Sequence, residues 1–79
     1  MLSRVKDYIL DQEFRLTLFK QRFLAINFIK ILSLEETRVS FSTSYGRVVV
    51  KGEHFTLQRL LESEVLIQGH IEGVEVFYE

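Results

Sequence analysis

Two segments in the second half of the chain echo each other. Val48-Val49-Val50-Lys51-Gly52 is answered seventeen residues on by Val65-Leu66-Ile67-Gln68-Gly69. Each is a short aliphatic run, then one polar residue, then a glycine. Each leads into a further apolar stretch, first Phe55-Thr56-Leu57 and then Ile71 to Phe77. Aliphatic runs stopped by glycine are the pattern of strands punctuated by sharp bends, which directs the chain to an all-β fold. Gly46, Gly52, Gly69 and Gly73 all fall where such a turn or bend is expected.

The cleanest alternation lies just upstream. Val39, Phe41, Thr43 and Tyr45 share one strand face, and Arg38, Ser40, Ser42 and Ser44 share the other. One apolar and one wet face is the mark of an antiparallel strand. Tyr45-Gly46 reads as a hairpin tip, with Arg47 to Lys51 returning. Gly52-Glu53 then bends the chain, His54 to Leu60 forms a strand, 61–64 turns it, and Val65 to Gln68 forms another. Ile71 and Val74 are three residues apart and share a face only if a bulge near Gly73 restores the phase.

In the first half, Phe14, Leu16 and Leu18 alternate, Gln21-Arg22 is the best turn, and Leu24, Ile26 and Phe28 alternate again. A helix from Glu13 to Leu34 competes, but it would be apolar almost all round, and the β-branched and aromatic content favours strands. Leu2, Val5 and Ile9 fall on one helical face, so residues 1–12 read as an arm or short helix. A β core at 14–78 follows within a single domain. The expected architecture is six or seven short strands in a curled sheet or small sandwich. Its expected core is Leu16, Leu18, Ile26, Phe28, Val39, Phe41, Val48, Val50, Phe55, Leu57, Val65, Ile67, Ile71, Val74 and Val76.

Size then sets a requirement. A domain of 79 residues has a marginal core, since a chain of this order buries only roughly 60% of its unfolded surface. The chain has no cysteine, which removes disulfides and thiolate metal sites. With seven phenylalanines and 47% hydrophobic residues, association is the remaining remedy, and a homodimer is expected. Phe14, Phe19, Phe23 and Phe77 are the candidate interface. The net charge of −1 provides no long-range field for a polyanion. The most lipid-like run, Phe23 to Leu32, is ten residues long and contains Asn27 and Lys30, too short and polar for a bilayer span.

The ordered pieces resemble the YabP/YqfC family of sporulation proteins, and the YqfC branch more closely. The resemblance spans residues 7 to 77. It rests on Asp7-Tyr8-Ile9-Leu10-Asp11, Arg15-Leu16-Thr17-Leu18, Asn27-Phe28 with Ile29-Lys30-Ile31, the Thr43 to Gly52 hairpin, and Glu64-Val65-Leu66-Ile67-Gln68-Gly69-His70-Ile71. No piece is specific alone; the ordered set is. The chain departs from the family at Gln12-Glu13, where a proline is common, and at Ile26, where a glutamate is common. The resemblance implies a small, β-rich, non-enzymatic protein of endospore-forming bacteria. It implies action in spore assembly on the mother-cell cytoplasmic side, at or near the forespore surface, with a membrane-associated sporulation protein as partner. It supplies no catalytic residue, cofactor or metal.

Other chemistry finds little purchase. His54 and His70, with Glu53 or Glu72, fall short of the three or four protein ligands that zinc sites use. Glu35-Glu36, Glu62/Glu64 and Glu72/Glu75 sit where turns and wet faces are expected, and Ser63 has no histidine or oxyanion donor near it in sequence. There is no nucleophile elbow, Walker loop or His-Glu-x-x-His. Arg38, Arg47, Lys51 and Arg59, with Tyr45 and Phe55, define the alternative: a small β-barrel that binds nucleic acid. Acids on the same half of the chain oppose it, so no nucleic-acid partner is expected.

Overall fold

The computed structural model describes residues 13–78, and the arm or short helix expected at 1–12 lies outside the described residues. Six strands follow one another: β1 (Arg15–Leu18), β2 (Arg22–Ile26), β3 (Lys30–Leu34), β4 (Arg38–Thr43), β5 (Gly46–Leu61) and β6 (Glu64–Tyr78). They form one open antiparallel sheet in the order β1-β2-β6-β5-β4-β3. The described residues are all-β as their alternation requires, and strands replace the competing helix across 13–34.

Two strands are not short. β5 has 16 residues and β6 has 15, so Gly52 and Gly69 bend strands and do not end them. β4 pairs only with residues 46–51 of β5, and β2 only with residues 64–68 of β6. The single sheet is therefore two four-stranded halves that share β5 and β6. One half holds β3, β4, the first part of β5 and the last part of β6. The other holds β1, β2, the last part of β5 and the first part of β6. The halves turn their apolar faces toward each other, and the core forms between them: Val39, Phe41 and Val50 from one, Phe23, Ala25, Val65 and Ile67 from the other.

The turn lies where β5 and β6 lose register. Pairing shifts between Lys51 and Gly52, and again between Glu53 and Thr56. Lys51 faces Gly73 while Gly52 faces Ile71, so Glu72 is the extra residue of a bulge beside Gly73, as the phase of Ile71 and Val74 demanded. Phe55 fills the inside of the turn. A β-carbon on Gly52 would strike the carbonyl oxygen of His70 and lie 2.6 Å from the Phe55 ring; one on Gly69 would also lie 2.6 Å from that ring. Gly69 has φ 153° as well, a conformation that side chains resist. Gly52 is required for space alone.

Several details differ from the sequence reading. The first turn is 19–21, with Arg22 already in β2. The hairpin loop is Ser44-Tyr45, and Gly46 opens β5 at φ 134°. The Thr43 hydroxyl fastens this loop, accepting the Tyr45 N–H at 3.1 Å and donating to the Gly46 carbonyl at 2.8 Å. In β2 the inward residues are Phe23 and Ala25, while Ile26 faces out beside Leu24. Phe28 is buried nonetheless, because Asn27 adopts φ 63° and resets the alternation. Leu18, Leu57, Val74 and Val76 belong to the core-facing side but stay exposed, since the opposite half does not reach them.

Gly52→Ala and Gly69→Ala should each destabilise the protein by about 2–4 kcal/mol in urea unfolding, the range of severe overpacking and strain. Gly73→Ala, whose β-carbon meets nothing within 4 Å, should stay within about 0.5 kcal/mol of wild type. In a Phe55→Ala background the Gly69→Ala cost should shrink. The Gly52→Ala cost should persist there, because its main obstacle is backbone.

Candidate functional site

The outer face of the β3–β4 half is built by alternation. Arg38, Ser40 and Ser42 of β4 lie opposite Lys51, Val49 and Arg47 of β5, which lie opposite Gly73, Glu75 and Phe77 of β6. Lys51 Nζ reaches Glu75 Oε1 at 3.1 Å, and the Arg47 guanidinium stacks 4.5 Å above the Phe77 ring. These long side chains cover the floor of a basin of about 290 Å³. Ser40 and Val49 are buried, and among the described residues no second layer of strands lies over them. Ser40 corrects the expectation of a uniformly wet serine ladder: its hydroxyl meets that of Ser33 at 2.6 Å. Of the three serines only Ser44 is exposed, and Ser42 is half-buried.

The pieces of a nucleic-acid platform are only partly assembled. Arg38, Arg47 and Lys51 share the basin, but Arg59 lies in the other half, 3.6 Å from Glu64. Phe55 is buried and has no face to offer a base. Glu35, Glu53 and Glu72 gather beside Arg38 and Lys51 at the bend. The sheet is open, so the barrel form of that alternative does not occur.

His70 pairs with Glu53 across β5 and β6, next to His54, whose φ is 59°. Both histidines are exposed. Among the described residues no three His, Asp or Glu side chains gather as a metal site. Glu35, Glu36, Glu62, Glu72 and Glu75 are exposed, and the half-buried Glu64 pairs with Arg59. The Ser63 carbonyl accepts the Asn27 N–H at 2.7 Å, a structural bond.

Of the four candidate interface phenylalanines, Phe23 is a core residue. It is 0% exposed and meets Phe55 edge-on at 5.6 Å, so it is no interface residue. Its place in the core follows from the inward phase of β2. Phe14 is half-buried against Phe41, with centroids 5.8 Å apart. Phe19 and Phe77 remain at the surface, each capped by an arginine, Arg22 at 4.9 Å and Arg47 at 4.5 Å.

Two apolar features stand out, of which only the second, in the Phe77-bearing last strand, was anticipated from the sequence. The first is a groove of about 350 Å³ on the inner side, lined by Phe14, Leu16, Tyr45, Val48, Val74, Val76 and Tyr78. The alternation Val74, Val76, Tyr78 was its only local signal. The second is the edge of β6 beyond Gly69. Among the described residues this stretch pairs with β5 on one side and with no strand on the other. Val74, Val76, Phe77 and Tyr78 are all exposed along it, Tyr78 by 77%. No helix among the described residues is long and apolar enough to cross a membrane. No family model, curated protein or solved structure matches the chain.

Lys51→Ala should change unfolding free energy by no more than about 0.5 kcal/mol, because a half-exposed ion pair is screened by water and salt. Ser40→Ala should cost about 1 kcal/mol by leaving the Ser33 hydroxyl without its partner. The double replacement Ser33→Ala/Ser40→Ala should cost no more than Ser40→Ala alone, a non-additivity that urea titration will reveal.

Proposed function

We propose that this chain is a non-enzymatic assembly module of endospore formation that pairs with a second copy through the free edge of β6. One observation carries the reading: residues 71–78 pair on one side only among the described residues, and their exposed side chains are mostly apolar or aromatic. An unpaired edge presents N–H and C=O groups as a template for another strand, and flanking apolar side chains add affinity. The edge of β3 is less suited, because its register shifts between Ile31 and Ser33 and such irregularities blunt strand addition. Two-fold pairing of β6 edges would give an isologous dimer with one continuous sheet. This keeps Phe77 in the interface region and Phe14 beside it.

The sporulation context rests on the resemblance to the YabP/YqfC family. The order of elements that carries it maps onto β1, the β2–β3 connection, the β4–β5 hairpin and β6. In that context the dimer would act on the mother-cell side, peripheral to the forespore membrane, docking on a membrane-associated sporulation protein. Catalysis and nucleic-acid binding form no part of this function.

Light scattering after size exclusion at micromolar concentration should give twice the 9.4 kDa chain mass. A monomer mass with stability unchanged on dilution would sink the dimer. Deleting the gene in its own organism should leave vegetative growth normal and reduce the yield of heat-resistant spores. A normal spore yield would sink the sporulation role.

A further inference from the structure

We propose that the outer face of the β3–β4 half binds an extended acidic peptide, with two carboxylates four residues apart and an aliphatic residue midway between them. Register is the first argument. On this face Lys30, Ser42, Arg47 and Phe77 form one cross-strand row. Ser33, Ser40, Val49 and Glu75 form the next, and Arg38, Lys51 and Gly73 a third. Two cationic pairs therefore flank a row of smaller side chains. Arg47 and Lys51 are four residues apart on β5, about 13 Å at strand rise. Between them Ser40 and Val49 are the buried floor of the basin, and Leu32, half-exposed, is part of its wall. Toward the β4–β5 hairpin the basin adjoins a second hollow of about 460 Å³ that shares Leu32, Arg47 and Phe77. The depression thus runs along β5, as an extended chain requires.

Charge is the second. The three rows hold four cations against one acid, on a chain whose net charge is −1. Lys51 pairs with Glu75, but Lys30, Arg38 and Arg47 form no ion pair among the described residues. Arg38 stands directly opposite Lys51, and like charges so placed repel. A carboxylate between them relieves a cost that the single Glu75 offsets only in part. Stacking on Phe77 engages the flat face of the Arg47 guanidinium. Its in-plane N–H groups can still donate to a carboxylate, from a side chain already held in place.

Shape is the third, and it selects the occupant. A single small anion cannot reach both cationic pairs. A nucleic-acid strand continuing past Lys51 would meet Glu35, Glu53 and Glu72 at the bend. A peptide carries charge only where its side chains place it, and residues i, i+2 and i+4 of an extended segment share one face. Carboxylates at i and i+4 match Arg47 and Lys51, and an aliphatic side chain at i+2 meets Val49 and Leu32. These are side chains of the outer face and not the backbone edge of β6. The proposal therefore depends neither on dimerisation nor on a role in sporulation.

The probe is a rhodamine-labelled, end-capped pentapeptide in the order aspartate, serine, leucine, serine, aspartate. Its fluorescence anisotropy should rise saturably with protein at low salt and fall back as salt is added. Arg47→Gln and Lys51→Gln should each weaken binding about 3- to 10-fold, the scale of a partly exposed charge-assisted contact. Arg15→Gln, on β1, should leave it unchanged. A probe with asparagine for both aspartates should bind far more weakly. Lys51→Glu should lose the probe and regain binding when one aspartate of the probe is replaced by lysine, a rescue that a misfolded variant could not show. No saturable binding, equal affinity for the asparagine probe, wild-type affinity in both glutamine variants, or no rescue would each overturn the proposal. A labelled single-stranded oligonucleotide that binds more tightly than the peptide, and is lost in the same variants, would assign the face to nucleic acid and overturn it too.

Discussion

The Phe55 ring occupies the volume that two β-carbons would need, one on Gly52 and one on Gly69. This contact lets the two longest strands bend together. Unbent, β5 and β6 would make a ribbon of about 50 Å with one apolar face and nothing to cover it. Bent, they bring Val39, Phe41 and Val50 over Phe23, Val65 and Ile67. The bulges that permit the bend release backbone groups from the ladder, and those groups find partners nearby. Gly52 N–H donates to the Thr37 carbonyl at 3.0 Å, Phe55 N–H to Glu36 at 2.8 Å, and Gly69 N–H to Gln21 at 2.8 Å. The bend is thus stitched to the turns that precede β4 and β2, which keeps buried polar groups satisfied. His54 absorbs the change of direction in a left-handed conformation.

The same bend limits the core. The two faces overlap incompletely, and inward-directed Leu18, Leu57, Leu60, Val74 and Val76 remain in contact with water. In a small domain without disulfides this leaves apolar surface that the core does not cover. The outer face takes a different course. There Arg47, Lys51, Phe77 and Glu75 lie over Ser40 and Val49 and pair among themselves. Lys51 is paired with Glu75, and Arg47 lies over the Phe77 ring.

The strand character of the chain was legible wherever alternation was strict. Val39 to Thr43 forms β4 with Val39 and Phe41 buried, as the pattern required. The bulge near Gly73 followed from the three-residue gap between Ile71 and Val74. Legibility failed where apolar residues ran consecutively. Phe23-Leu24-Ala25-Ile26 fits either phase, and only the pairing of Phe23 with Ile67 and of Ala25 with Val65 selects the inward set. Asparagine tolerates the left-handed conformation, but nothing local marked Asn27 as the place where the phase resets for Phe28. Ser40 looked like a solvated residue because the side chains that cover it come from β5, β6 and the Ser33 hydroxyl of β3.

The sequence by itself determined the all-β class, the places where the chain must bend, and the surplus of apolar side chains over what so small a core can hide. These are local quantities, set by side-chain periodicity, by glycine and by composition. Tertiary structure alone decided that Gly52 and Gly69 bend continuous strands and that Phe55 locks the bend. It alone made Phe23 a core residue and left Val74 and Val76 beside an open edge. Those outcomes depend on which strand lies next to which and how far each half overlaps the other, and the distances involved join residues remote in the chain.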